Sequence, residues 1–328
     1  MPDKKLKTRI LSLLLSLIVI FPLSTAISQN VSATQTVLFA ADSKQQNIHG
    51  FALKKTLYFE GHPIFEYQHE KSGAWLIVEK NNNIDKKFEI SVRTPPENDK
   101  GTNHIIEHCV LNGSREYPCK NMVWELSKAA HATSINAMTT PTYTTYPVSS
   151  TDEDEFESLA KIYTSGVFHP SFLENEKIFK KEGIRYELNE DGALQANGTV
   201  FNEMQQNTAL LEKFIKRMFP DTQGKNLSAG LPEDIMGLSY CELCDTYKKY
   251  YQPSNMLIHL TGNMNYEKIL KWLNEDYLSK YENQSTDSVQ YLHQHPENLK
   301  KYETSYYYKK NTDTNIIDIS VAYILTPK

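Results

Sequence analysis

The stretch from Gly50 to Pro95 restricts the fold more than any other part of the chain. It reads as four short runs, "FALKKTLYFE", "HPIFEYQHE", "GAWLIVEK" and "KFEISVRTPP", separated by Gly61, Gly73 and Asn81 to Asn83. Within each run apolar and polar residues tend to alternate. Successive side chains on a strand point to opposite faces, so this alternation belongs to strands with one face buried. Four such runs joined by short turns predict a set of antiparallel strands. "TNHIIEHCVLNGS" then changes to helical spacing, with Thr102 or Asn103 as the expected cap and Gly113 as the stop. A second helix is expected in "NMVWELSKAA" and a return to β structure in "ATSINAMTTPTYTTYPVSS". Helices follow in "EDEFESLAKIYTSGVF", "ENEKIFKKEGIRYEL", "FNEMQQNTALLEKFIKRMF" and "YCELCDTYKKYY", then a strand, "NMLIHLTGN", and a helix, "YEKILKWLNEDYL". Strands first and mixed helix and strand afterwards predict an α+β fold, a two-layer sandwich of a mainly antiparallel sheet with helices packed on it.

The ends of the chain have a different character. Lys4, Lys5, Lys7 and Arg9 precede an apolar run from Ile10 to Phe21, and small residues follow. That run is shorter than the roughly 20 residues of a membrane span. Residues 1–33 therefore read as a secretory signal peptide, cut after Ser24-Thr25-Ala26 or Val31-Ser32-Ala33, and the expected location is secreted or extracytoplasmic. If the leader stays uncut, it becomes a membrane anchor. With 35 Lys+Arg against 40 Asp+Glu, a net charge of −5, the chain has no electrostatic footprint for nucleic acid, and none is expected as a partner. Four cysteines in 328 residues do not make a disulfide scaffold. Cys241-Glu-Leu-Cys244 has no second pair beside it and no thioredoxin-like strand-to-helix context, so it reads as structural, with the cysteines on the apolar side of a helix.

The chemistry lies in His104-Ile-Ile-Glu-His108. Positions i and i+4 of a helix share a face, so His104 and His108 can present two imidazole nitrogens to one ion. Glu107 sits at the adjoining edge, where its carboxylate can take a proton from a metal-activated water. His-x-x-Glu-His is the inverted zinc-peptidase pattern, which needs a third protein ligand and an open position for water. Ten histidines and 40 acidic residues make a chance match roughly a few per cent per chain, so the pentapeptide alone is only moderately specific. Glu203, in the Asn-Glu-Met of another amphipathic helix, would complete a His-His-Glu set. The other histidines, His49, His62, His69, His131, His169, His259, His293 and His295, are expected to be packed or exposed in the ordinary way.

With these pieces in place, the chain resembles the pitrilysin and insulin-degrading-enzyme family of inverted-motif zinc metallopeptidases, most closely its presequence-protease branch. The matching stretches are "HIIEHCVLNGSREYP", "SINAMTTPTYTTYPVSS", "GTVFNEMQQN" and "LPEDIMGLSYCELCDTYKKYYQPSNMLIHLTGN", in the family's order and spacing over about residues 50–280. The resemblance implies a fold like that of mitochondrial processing peptidase-like domains. It implies Zn²⁺ on His104, His108 and Glu203, Glu107 as the general base, and unfolded peptides as substrates. It further implies that Asn136 and Ala137 lie on or beside an edge strand that pairs with an extended substrate, a mode that reads backbone instead of side chains. As an alternative, "SINAM" is a plain core strand.

On this reading residues 34–47 are a polar leader, 48–280 the catalytic zinc-peptidase domain, 281–300 a linker and 301–328 the truncated start of a second domain. Full members of the branch are about three times longer and close two halves into a chamber, so a missing C-terminal half or a partner chain is expected to complete the site. Some relatives carry a further Glu seven residues before the third ligand, where Ala196 stands here. That leaves open which residues orient the metal ligands. Two functions follow from these features: a zinc metalloendopeptidase, or a non-catalytic peptide-binding remnant of the same family.

Overall fold

The computed structural model describes residues 47–206, 216 and 219–284. The signal peptide, nearly all of the polar leader, most of the linker and the start of the second domain lie outside the described residues. So does most of the C-terminal part of the helix expected over 201–219.

The strands are β1 (Asn47–Ile48), β2 (Phe51–Phe59), β3 (His62–His69), β4 (Trp75–Lys80), β5 (Lys86–Arg93), β6 (Ala132–Ile135), β7 (Met138–Thr139), β8 (Tyr143–Ser150), β9 (Arg185–Leu188), β10 (Leu194–Asn197) and β11 (Met256–Gly262). The helices are α1 (Thr102–Val110), α2 (Met122–Ala129), α3 (Glu153–Phe168), α4 (Glu176–Glu182), α5 (Thr199–Gln206), α6 (Pro232–Ile235), α7 (Tyr240–Tyr250) and α8 (Tyr266–Trp272). Nine strands form one sheet in the order β1-β2-β3-β4-β11-β5-β8-β6, with β7 also on β8. Every pairing in it is antiparallel except β11 on β4. The class is α+β, with a mainly antiparallel sheet.

Alternation decides which face carries the helices. Across β4, β11, β5 and β8 the register aligns Leu76, Ile258, Ile90 and Tyr146 in one row, and Val78, Leu260, Phe88 and Val148 in the next. All eight side chains are buried, in one cluster with Phe156, Leu159, Ala160, Tyr163 and Val167 of α3. The neighbouring positions, among them Glu89, Ser91, Arg93 and His259, point to the other face and are half-buried. Ser91 and Glu89 there bond to Thr145.

Four expectations are corrected. The runs that form β4 and β5 are consecutive in the chain but not in the sheet, because β11, about 170 residues later, inserts between them. Met256, Ile258 and Leu260 give β11 a fully apolar inner face, and the interior of the sheet is where that face is best buried. The helix expected over "ENEKIFKKEGIRYEL" stops at Glu182; after Gly183, "RYEL" is β9, joined to β10 by the turn Asn189–Gly192. "SINAM" is not core, since Asn136 and Met138 are exposed and the stretch lies at the sheet edge.

The cap of α1 is neither Thr102 nor Asn103 but Gly101, in the left-handed region at φ 65°. A Cβ on Gly101 would stand 2.7 Å from the Ala229 carbonyl oxygen, and one on Gly230 would stand 2.7 Å from the Cα of Gly101. Only two facing glycines let the 227–231 loop lie this close on the start of α1.

The two faces of β11 make a direct test. Ile258→Ala, at a fully buried position, should cost about 2–5 kcal/mol of stability by urea unfolding, and Leu257→Ala on the open face well under that. Equal losses would mean that the core lies elsewhere.

Candidate metal centre

Helix α1 packs against α4, α5 and α7 on one side and against β7 and β8 on the other. Ile105, Ile106, Cys109 and Val110 are wholly or almost wholly buried, and so are Asn103 and Glu107. A helix that is apolar on nearly every side is a buried helix. What α1 leaves half-exposed, apart from Thr102, is the stripe of His104 and His108, whose rings stand edge to face with centroids 5.0 Å apart.

Glu203 on α5 approaches that stripe. Its Oε2 lies 3.6 Å from His104 Nε2 and 3.7 Å from His108 Nε2, and one ligand atom from each of the three residues falls within 4.8 Å of the others. Ligand atoms about 2.0–2.2 Å from a tetrahedral ion are about 3.3–3.6 Å apart, so these residues fit a zinc-sized ion with a small inward closure. Among the described residues this is the one group of three or more potential ligands that converges.

Each histidine is oriented from behind. His104 Nδ1 faces the Ala229 carbonyl at 3.4 Å, and His108 Nδ1 faces Glu182 Oε2 at 3.4 Å. Both Nδ1 atoms are thereby directed away from the site and both Nε2 atoms toward Glu203. Lys181 Nζ holds the other Glu182 oxygen at 2.7 Å, and its partner Asn112 bonds the His108 carbonyl at 2.8 Å. Glu107 accepts a 2.7 Å bond from the Thr139 hydroxyl on β7.

These surroundings set the protonation of the site. Burial, then the neighbouring His108, lowers His104 to about 4, so it is neutral near pH 7. Burial would lower His108 too, but its bond to Glu182 and the charges of Glu107, Glu203 and Glu182 outweigh that and raise it. Burial raises Glu107, against the Thr139 bond, which is the direction a proton acceptor needs. For Glu182 burial works upward, and the His108 and Lys181 bonds overcome it to hold the carboxyl at about 2.

Glu182, which stands behind His108, is the side chain of this site that sequence reasoning missed. Seven residues before Glu203 stands Ala196, on β10, which carries no acid. The β9–β10 hairpin separates α4 from α5 in sequence while its base stays closed, since a Cβ on Gly198 would overlap the Gly183 carbonyl oxygen. Strand-like alternation in "RYEL" followed by the "NEDG" turn was the available signal.

Asn136 and Ala137 lie between β6 and β7, beside the edge of the sheet, and with Glu107, His108 and Glu182 they line a cavity of about 440 Å³. All four cysteines are free thiols, and none belongs to the converging His104, His108 and Glu203 group. Cys244 is buried in the core, whereas Cys241 faces solvent instead of the apolar side.

Comparison with known proteins agrees with this fold. The family model described as Insulinase (Peptidase family M16) matches residues 92–217, and the one described as Peptidase M16 inactive domain matches residues 237–328. Protein HypA of Clostridium perfringens is 37% identical over 281 residues, covering 83% of this chain and 29% of that protein. The mitochondrial presequence protease of Drosophila melanogaster is 34% identical, covering 70% of this chain and 23% of its own length. The chloroplastic/mitochondrial presequence protease 1 of Arabidopsis thaliana is 36% identical, with 66% and 20% covered. The chain thus spans less than a third of the length of these relatives. Among solved structures, pitrilysin superposes with a TM-score of 0.51 at 16% identity, covering 76% of this chain and 25% of that one, and supports the fold.

Metal binding should report the state of His108. A metal needs the neutral ring, so loading at mildly acidic pH displaces the proton that the raised pKa keeps on His108, whereas His104 is already neutral. Zinc affinity should fall, by up to about tenfold per pH unit, as pH drops below the raised pKa of His108, with proton release on binding, measured by calorimetry in buffers of different ionisation heat. No proton release in this range would contradict these assignments.

Proposed function

We propose, for a chain that belongs to peptidase family M16 on its presequence-protease branch, that the site is that of a zinc metalloendopeptidase cleaving unfolded peptides. The observation that carries this reading is the convergence of His104, His108 and Glu203 within 4.8 Å, beside the buried carboxylate of Glu107. Zn²⁺ bound at these three residues supplies Lewis acidity toward the scissile carbonyl and toward water. Glu107 takes the proton of the attacking water and delivers it to the leaving amine, and its raised pKa suits both transfers. Thr139 holds one Glu107 oxygen, which fixes the direction of the other. Asn136 and Ala137 offer the edge beside the cavity to the extended backbone of the substrate.

Glu203 is 48% exposed, and the cavity that Glu107 and His108 line opens to solvent. A further segment of a longer protein, or a partner chain, closes over it in this reading, since excluding water strengthens every electrostatic contact inside. The leader-like N-terminus is the support for placing the activity outside the cytoplasm.

His108→Ala should remove most bound zinc, read by metal analysis. Unchanged stoichiometry would sink the metal site. Glu107→Gln keeps the shape and removes the base, so zinc should remain while hydrolysis of an unstructured peptide falls roughly 10²-fold or more. Equal measurable rates for Glu107→Gln and the parent chain would mean that the base is elsewhere, and no hydrolysis by either would leave the non-catalytic peptide-binding reading in its place.

A further inference from the structure

On the far side of the Ala229 loop a second, smaller cavity, of about 50 Å³, lies between the start of α1 and α7. Asn103, Ser228, Glu97 and Glu242 are among the residues that line it. Asn103 is 3% exposed and Ser228 8%, and neither Asn103 Oδ1 nor Ser228 Oγ has a hydrogen-bond partner among the described residues. The amide nitrogen of Asn103 is engaged, donating to the Thr94 carbonyl at 2.7 Å, which leaves the oxygen as the free end. Two polar atoms buried in this way cost stability unless something bonds them, and nearly all such atoms in folded proteins are bonded.

The charge around the cavity selects the occupant. Glu242 Oε2 is bonded to Lys100 at 2.7 Å, and Glu97 to Lys249, so each carboxylate already has its cation. A further cation would face the positive end of α1, which no side chain caps. An anion would face the two carboxylates. A neutral molecule that both donates and accepts suits the site. A cavity of about 50 Å³ has room for at least one water and for no more than a few, since one needs only about 10–15 Å³.

We propose that this cavity is a built water site, in which at least one ordered water bridges Asn103 Oδ1 on α1 to Ser228 Oγ. Ser228 immediately precedes Ala229, whose carbonyl faces His104, and Asn103 immediately precedes His104. The bridge joins the two segments that set the His104–Ala229 contact, so Ser228 is a positioning residue for His104. Only this last step rests on the zinc-peptidase reading; the water site itself stands on packing and polarity.

A crystal structure of the zinc-loaded full chain, at a resolution that shows ordered water, tests it. The expected density lies about 2.7–3.2 Å from both Asn103 Oδ1 and Ser228 Oγ. Ser228→Ala should lose the bridge, shift the Ala229 carbonyl relative to His104, and speed zinc dissociation by about threefold to tenfold. Ser228→Thr, which keeps the hydroxyl, should stay near the parent rate. A cavity without density, a cation identified by its anomalous signal or short contacts, or a Ser228→Ala protein with the loop and zinc release unchanged would overturn the proposal. A bridge present in a protein that cleaves no peptide would instead count against the enzymatic reading alone.

Discussion

The site depends on the burial of α1. Ile105, Ile106, Cys109 and Val110 are held between the sheet and helices α4, α5 and α7, so this helix can neither rotate nor slide without opening the core. The histidine stripe inherits that fixity. The same burial withdraws water from Glu107 and His104 and moves both away from their solution behaviour, each toward its neutral form. Packing and protonation are two results of one placement.

Around this helix the supporting contacts come from distant parts of the chain. Thr139 comes from the sheet edge, Glu182 from the end of α4, and Ala229 from a loop that can approach only because Gly101 and Gly230 lack side chains. None of these residues is unusual in type. Their roles come from where the fold brings them, and a fault in any one would be felt at His104, at His108 or at the Glu107 carboxylate.

Much of this was legible in the chain. Alternation exposed β2 to β5, and helical spacing exposed α3 and α7, because each buries one well-defined face. Helix α1, buried on nearly every side, was marked instead by its His-x-x-Glu-His spacing and the stop at Gly113. The His104–Glu107–His108 set was legible since i, i+3 and i+4 are neighbours on any helix. The position of β11 was not, because strand order across a sheet depends on long-range packing that no local pattern records. The end of α4 was misjudged because Glu, Lys and Arg suit a helix well, and only the pairing of "RYEL" with "LQAN" overrides them. Glu182 escaped notice for the same reason, since its partner His108 lies 74 positions away.

The closed base of the β9–β10 hairpin has a consequence for how such chains are compared. With Gly183 and Gly198 in contact, residues 184–197 form an excursion whose two ends are already adjacent. Lengthening or deleting such an excursion leaves Glu182 and Glu203 in their places while changing the interval between them at will. The number of residues separating the second histidine from the distant glutamate therefore measures a loop, not a metal site. A search that demands one fixed interval would sort proteins by the length of an ornament and pass over identical chemistry.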